Sequence, residues 1–234
     1  MNNEKSKLLL IIPAYNEEEN IVRVVDEIRN KYPQYDYVVV NDGSRDRTAA
    51  ICREQGYRLV DYPVNLGLAG AFQGGMKYAL RKGYRYAIQY DGDGQHDPRY
   101  IEEMLDAAER EGYDIVIGSR FVTEPKPHSA RMLGSRIIGG SIALTTGRRI
   151  KDPTSGMRLF NQKMIAILAK QVNYGPEPDT VAFLIRCGAK VKEQQVSMKE
   201  RIAGESYLKF GTSIKYMVRM CMSILIVQWF RKKV

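Results

Sequence analysis

The 234-residue chain has few of the features that mark several common protein classes. Its three cysteines, Cys52, Cys187 and Cys221, are far apart and form no CxxC pair, so neither a disulfide framework nor a cysteine zinc site is encoded. A reducing environment suits them. No apolar stretch approaches the roughly 20 residues of a bilayer-spanning helix, and the uninterrupted run from Met220 to Phe230 covers only 11. The N-terminal run Leu8 to Ile12 stops at Pro13 and three glutamates. It is too short for a secretory leader and reads as a first core strand. Neither GxGxxG nor GxxxxGK[ST] occurs, which argues against a dinucleotide-binding dehydrogenase and a P-loop enzyme.

What is present is a chain with 44% hydrophobic residues, enough for one large domain or a domain with an appendage. Strand and helix patterns alternate along it, which predicts a mostly parallel sheet with helices on both faces. Apolar runs Leu8 to Ile12, Tyr37 to Val40 and Tyr86 to Gln89 read as strands. Helices are expected over Glu17 to Lys31, with its acidic residues in the first turn, from Asp46 and Thr48 through Cys52, and over Leu66 to Leu80, Pro98 to Arg110 and Thr180 to Cys187. Short strands are expected at Arg58 to Asp61 and Asp114 to Gly118.

Each of the three long apolar runs ends in polar residues: Pro13 to Glu19, Asn41 to Ser44, and Tyr90 to Gln95. In open α/β sheets that edge is where ligands bind. The third segment, Asp91-Gly92-Asp93-Gly94-Gln95, sets two carboxylates one residue apart in a glycine-rich turn that can offer oxygens to one hard cation. An ordinary turn uses the same residue types.

The segments IIPAYNEEENI, VVVNDGSRDRT, NLGLAGAF, YDGDGQHDP, GSRF and DPTSGMRLF, in this order and spacing, resemble glycosyltransferase family 2, whose members have the Rossmann-like GT-A fold. The resemblance runs from about Leu9 to Ser206. Arg120, Arg131, Ser135, Arg201, Gly204 and Ser206 are most similar to the subgroup of dolichyl-phosphate mannose synthases and bacterial polyprenyl-phosphate glycosyltransferases. The resemblance implies that a nucleoside-diphosphate sugar is held by Pro13, Tyr15, Glu17, Asp42, Asp91, Ser155, Gly156 and Arg201. It implies metal ligation by Asp91, Asp93 and Gln95, where oxygen-only donors favour Mg²⁺ or Mn²⁺. Arg120, Arg131 and Ser135 match the acceptor-phosphate site. Asp93, Glu177 and Asp179 are the catalytic candidates, the last two lying where the family carries an acidic residue.

A lipid monophosphate is already largely dianionic at neutral pH, so such an acceptor needs cations more than a general base. Prolines on both sides of Glu177 depart from the expected form, leaving Glu177 and Asp179 as alternatives, with Asp179 preferred for orienting sugar or acceptor. Capping of the following helix is the competing role for Asp179. UDP-hexose, UDP-N-acetylhexosamine and GDP-mannose are all open as donors. A saccharide hydroxyl is the alternative acceptor, in which case one of these acids becomes an essential base.

From Val196 onward the chain carries eight Lys or Arg against two Glu, so six of the nine net positive charges lie there. Residues 1–208 are expected to form the catalytic domain and 209–234 an amphipathic basic helical tail. Ile214, Met217, Val218, Cys221, Ile224, Leu225 and Gln228 share one helical stripe, and Trp229 and Phe230 precede Arg231, Lys232 and Lys233. That pattern suits docking at the cytoplasmic face of an anionic membrane. A core or oligomer-interface helix, including a homo-oligomer, fits the same methionine-rich face. A separate small membrane protein is another route to a polyprenyl (undecaprenyl) phosphate acceptor. A basic nucleic-acid-binding protein is disfavoured, because the charge gathers in this tail and no recognition module occurs.

Overall fold

The computed structural model describes residues 6–92, 94–170, 175–198 and 210–231. Strand β1 (Leu8–Ala14) is the centre of the molecule. Leu8, Leu10 and Ile12 enter one apolar cluster while Leu9 and Ile11 enter a second on the opposite face. Burial on both faces is why this strand reads as a continuous apolar run rather than an alternating one. Strand β2 (Asp36–Asp42) repeats the arrangement, with Tyr37 and Val39 on one face and Val38 and Val40 on the other.

The seven strands run in the order β3-β2-β1-β4-β6-β5-β7, completed by β3 (Leu59–Tyr62), β4 (Tyr86–Gln89), β5 (Ile115–Ser119), β6 (Arg158–Asn161) and β7 (Val191–Gln195). Only β6 is antiparallel to its neighbours, pairing Gln89 with Arg158 and Ile117 with Arg158. The C-terminal ends of β1, β2, β4, β5 and β7 therefore share one edge with the N-terminal end of β6. The strand order reverses between β1 and β4, which makes this edge a topological switch point.

Helix α1 (Ile21–Lys31) buries Ile21, Val24, Val25 and Ile28, the expected stripe at positions i, i+3, i+4 and i+7. It starts four residues later than the sequence pattern predicts, and none of the three glutamates lies in its first turn. Helices α2 (Thr48–Glu54), α3 (Gly67–Lys82), α4 (Ile101–Arg110) and α7 (Pro178–Arg186) fall close to their expected positions. A 3₁₀ turn, Pro98–Tyr100, takes the first turn of the segment assigned to α4. Helices α5 (Ala130–Thr146) and α6 (Gln162–Lys170) complete the helical layers.

The C-terminal segment forms α8 (Phe210–Leu225) and a 3₁₀ turn, Val227–Trp229. Met220 and Ile224 of α8 are buried in the same cluster as Ile138 and Ile142 of α5 and Phe183 of α7. The inner face of the tail is thus core. Its outer face leaves Ile214, Val218, Met222, Leu225, Trp229 and Phe230 exposed.

Candidate active site

The loops after β1 and β2 are stitched to each other. Asn16, held at a left-handed φ of 55°, donates its N–H to Ser44 Oγ at 3.0 Å and accepts the Arg45 N–H on Oδ1 at 2.8 Å. The Glu17 N–H is taken by Thr48 Oγ1 at 2.9 Å and the Glu18 N–H by Asp46 Oδ2 at 3.0 Å. These contacts satisfy amides that would otherwise open a helix, which explains the late start of α1. They leave Tyr15 exposed at the rim beside the half-buried Pro13 and Glu17. Asp42 is buried at the end of β2, with Oδ1 accepting the Leu66 N–H at 2.7 Å.

The turn after β4 is organised by residues that its acidic pattern does not reveal. The buried Tyr90 hydroxyl donates to the His96 carbonyl at 2.7 Å, and the Asp91 N–H donates to His96 Nδ1 at 3.0 Å. With Nδ1 accepting, the ring proton of the neutral imidazole is assigned to Nε2, which faces Asp91 Oδ2 at 3.4 Å. Gln89 Nε2 donates to Asp91 Oδ1 at 3.0 Å. The carboxylate is therefore fixed from both sides. Gln95 sits half-buried on the same turn, and Gly94 takes the positive φ of 75° that the chain reversal requires. Asp93 lies outside the described residues.

Oxygen donors held in this way fit a hard divalent cation. Gly156 keeps the space open, since a Cβ there would stand 2.5 Å from Asp91 Oδ2. Among the described residues no group of three or more His, Cys, Asp or Glu forms a metal cluster. Of the three residues expected to hold a metal, Asp91 and Gln95 stand on this turn.

The loop Asp152–Gly156 carries the turn's other neighbour. Asp152 is fully buried and accepts from Arg120 through the backbone N–H at 3.1 Å, Nε at 2.7 Å and Nη2 at 2.9 Å. Arg120 thus enters the site as half of a forked ion pair rather than as an uncommitted cation. Ser155 is also committed: its hydroxyl donates to the Gly118 carbonyl and accepts the Met157 N–H at 3.3 Å. Beneath the loop, fully buried Arg158 donates to the Pro153 carbonyl at 2.7 Å, and burial lowers its pKa. Ser135, on the buried face of α5, accepts a hydrogen bond from Lys126 Nζ at 2.9 Å. Nothing in the local pattern separates Lys126 from the chain's other basic residues except its flanking prolines. The Arg131 side chain and Arg201 lie outside the described residues.

Glu177 and Asp179 both turn toward α8. Glu177 Oε1 accepts from Arg219 Nη2 at 2.5 Å, while Asp179 Oδ2 accepts from Ser223 Oγ at 2.6 Å and Arg231 Nη2 at 3.2 Å. Asp179 Oδ1 accepts the Thr180 N–H at 2.9 Å, but Asp179 lies in the first turn of α7, whose N-cap is Glu177 and has no side-chain capping bond. Burial pushes the Glu177 carboxyl above its ordinary value of 4.5, and Arg219 pulls against that. A raised folded-state pKa means the fold holds this proton more tightly than the unfolded chain does. Glu177 therefore makes stability fall as pH rises through 4.5 and level off above its folded pKa. Arg219→Met removes the opposing charge and is expected to move the Glu177 midpoint further up. Carboxyl ¹³C titration reads it directly, and an unmoved midpoint would rule out the pairing.

Comparison with known proteins gives the family. The sequence model of glycosyl transferase family 2 matches residues 9–168, and the chain belongs to that family. It is a glycosyltransferase with the GT-A fold. The polyprenol monophosphomannose synthase of Mycolicibacterium smegmatis is 29% identical over 89% of this chain and 83% of its own length. The undecaprenyl-phosphate mannosyltransferase of Micrococcus luteus is 27% identical over 95% of this chain and 96% of its own. Glucosyl-3-phosphoglycerate synthase from Mycobacterium tuberculosis, solved with Mn²⁺ and UDP, superposes with a TM-score of 0.67 over 95% of this chain and 80% of that one. At 16% identity that likeness is one of fold.

Proposed function

We propose that the enzyme transfers one sugar from a nucleoside diphosphate to a polyprenyl phosphate, with inversion, at a membrane surface. One observation carries the reading: the loop Asp152–Gly156 touches both halves of the site. Gly156 closes on the Asp91 carboxylate while Asp152, four residues earlier, grips Arg120. Donor and acceptor sides are thereby adjacent, as a single displacement requires.

In this reading Asp42 and the β1 loop, with Pro13, Tyr15 and Glu17, bind the nucleoside. Asp91, Asp93 and Gln95 hold Mg²⁺ or Mn²⁺, which when bound neutralises charge on the departing diphosphate. Gly156 and Ser155 shape the floor under the sugar, and Arg201 meets the diphosphate. The acceptor phosphate is seated toward Arg120, Arg131 and Ser135. A phosphate dianion attacks without surrendering a proton, so no carboxylate is needed as base. The pairing of Glu177 with Arg219, and of Asp179 with Ser223 and Arg231, favours this acceptor over a saccharide hydroxyl.

The membrane reading is supported by two helices that pack side by side. Leu133, Ile137 and Leu144 of α5 are exposed, as are Ile214, Val218 and Met222 of α8, with Lys215 and Arg219 beside them. Among the described residues no helix is long and apolar enough to cross a membrane. In this reading the tail lies in the interface at the cytoplasmic face, and the three free cysteines suit a reducing side.

The test is transfer from a panel of radiolabelled UDP- and GDP-sugars to short-chain polyprenyl phosphate. A labelled lipid that requires divalent metal, and that falls at least about 100-fold in Asp91→Asn, is expected. Donor hydrolysis without lipid labelling would move the acceptor to a saccharide.

A further inference from the structure

Among the basic groups described around Ser135, Arg120 is largely neutralised. Its Nε and Nη2 are spent on Asp152, which is fully buried, and its ring neighbour is Phe121 with the guanidinium carbon 5.1 Å from the centroid. Glu193, the other acid close by, is spent as well, accepting the Lys151 N–H and the Asp152 N–H at 2.7 Å each. Lys126 differs from Arg120. Its ammonium lies within ion-pair distance of no carboxylate among the described residues, yet it is half-buried. Of its three donors, one goes to Ser135 Oγ at 2.9 Å, and the group stands 5.5 Å from the Phe121 ring centroid.

The backbone holds it there. Lys126 lies between Pro125 and Pro127, and a residue before proline is confined to extended conformations. Its carbonyl is anchored by Arg136 Nη2 at 2.9 Å, which brings a second positive charge to the same spot. Burial lowers the Lys126 pKa; Asp152 and Glu193 pull it up, and Arg136 and Arg120 push it down. An ammonium and a hydroxyl held together beside a neutralised arginine form a site that is short of one anion.

We propose that Lys126, with the Ser135 hydroxyl, directly grips the phosphate of the acceptor, and that Arg120 is a positioning residue acting through Asp152. This inference rests on the phosphate-acceptor reading given above. A phosphate monoester dianion supplies the missing charge, with one oxygen for Nζ and another for the serine hydroxyl.

The experiment is calorimetric binding of farnesyl phosphate and of inorganic phosphate to the full chain in detergent, for wild type, Lys126→Gln, Lys126→Arg and Ser135→Ala. Lys126→Gln is expected to weaken both ligands about 10- to 100-fold, Lys126→Arg to recover most of the loss, and Ser135→Ala to lose less. Nucleoside diphosphate binding with Mn²⁺ serves as the control for folding and is expected to hold. Farnesyl phosphate binding as tight in Lys126→Gln as in wild type overturns the assignment. So does a loss confined to the lipid, because Lys126 would then act on chain packing and not on phosphate. If wild type itself binds neither ligand, the acceptor reading fails first and the inference falls with it. Should Lys126→Gln not fold, Lys126→Met, which keeps the aliphatic stem and removes the charge, carries the same decision.

Discussion

Gly156→Ala is expected to lower sugar transfer about 100-fold, the penalty typical of displacing a reacting group by roughly an ångström. The new methyl would stand 2.5 Å from Asp91 Oδ2, 3.3 Å from its Cγ and 3.3 Å from His96 Cε1. The buried His96 ring has no room to retreat, and the Asp91 carboxylate can give way only by leaving its place. Asp91 is tied to Gln89 through Oδ1 and to His96 through its N–H, and His96 is buried against Tyr90, ring centroids 5.5 Å apart. The carboxylate must therefore swing off its position or the whole turn must shift. Overpacking of this kind costs about 1–3 kcal/mol, so a fall in Tm of about 2–12 °C should accompany the loss of rate. A stability defect alone would spare Mn²⁺ binding in the folded fraction, whereas displacement of Asp91 would weaken it. Electron paramagnetic resonance titration of Mn²⁺ separates the two. A stable Gly156→Ala protein with wild-type kcat/KM would show that Asp91 has no role in the chemistry.

The family resemblance singles out Gly156 for the donor-sugar site, but not its close approach to Asp91. Sequence alone does not bring residue 156 to residue 91; the antiparallel return of β6 does. Strand and helix content was easiest to read where burial is simple. β1 and β2 are apolar on both faces, and α1 buries one clean stripe. It was hardest where contacts are distant. The start of α1 is set by Thr48 and Asp46, some thirty residues on. Helix α5 contains Gly134, Gly139, Gly140 and two threonines, weak helix formers whose state is decided by packing against α7 and α8. The acidic turn announced itself, while His96 and Gln89, which fix its carboxylate, resemble ordinary polar residues until the fold is in place. Likewise Glu177 and Asp179 are acids in the expected region, and only α8 shows what they face.

The ion pair of Arg120 and Asp152 gives the largest expected effect on stability. Asp152 is fully buried, and the Arg120 side chain is 23% exposed, so the two partners are not equivalent. Among the described residues, Arg120→Met leaves the buried Asp152 side chain two hydrogen-bond donors, the residue 120 N–H and the Thr154 hydroxyl at 3.4 Å. Breaking a buried pair in this way costs about 3–5 kcal/mol, which for a chain of this size is a fall in Tm of about 6–20 °C. Asp152→Asn keeps the volume and part of the hydrogen bonding, and the stranded guanidinium retains an outlet to solvent. It should therefore cost less than Arg120→Met. Arg120→Met with Asp152→Leu removes both charges at once and should recover much of the stability, as double replacement of buried pairs does. Denaturant titration of wild type, Arg120→Met, Asp152→Leu and the double variant gives the coupling energy directly. If Arg120→Met and Asp152→Asn were each nearly neutral, the pair would hold nothing together. Arg120 would then be free to serve the phosphate itself, and the positioning role assigned to it would be wrong. Strong coupling, with the double variant stable yet poor in transfer, would instead mean that the pair's purpose is to set the Asp152–Gly156 loop against Asp91.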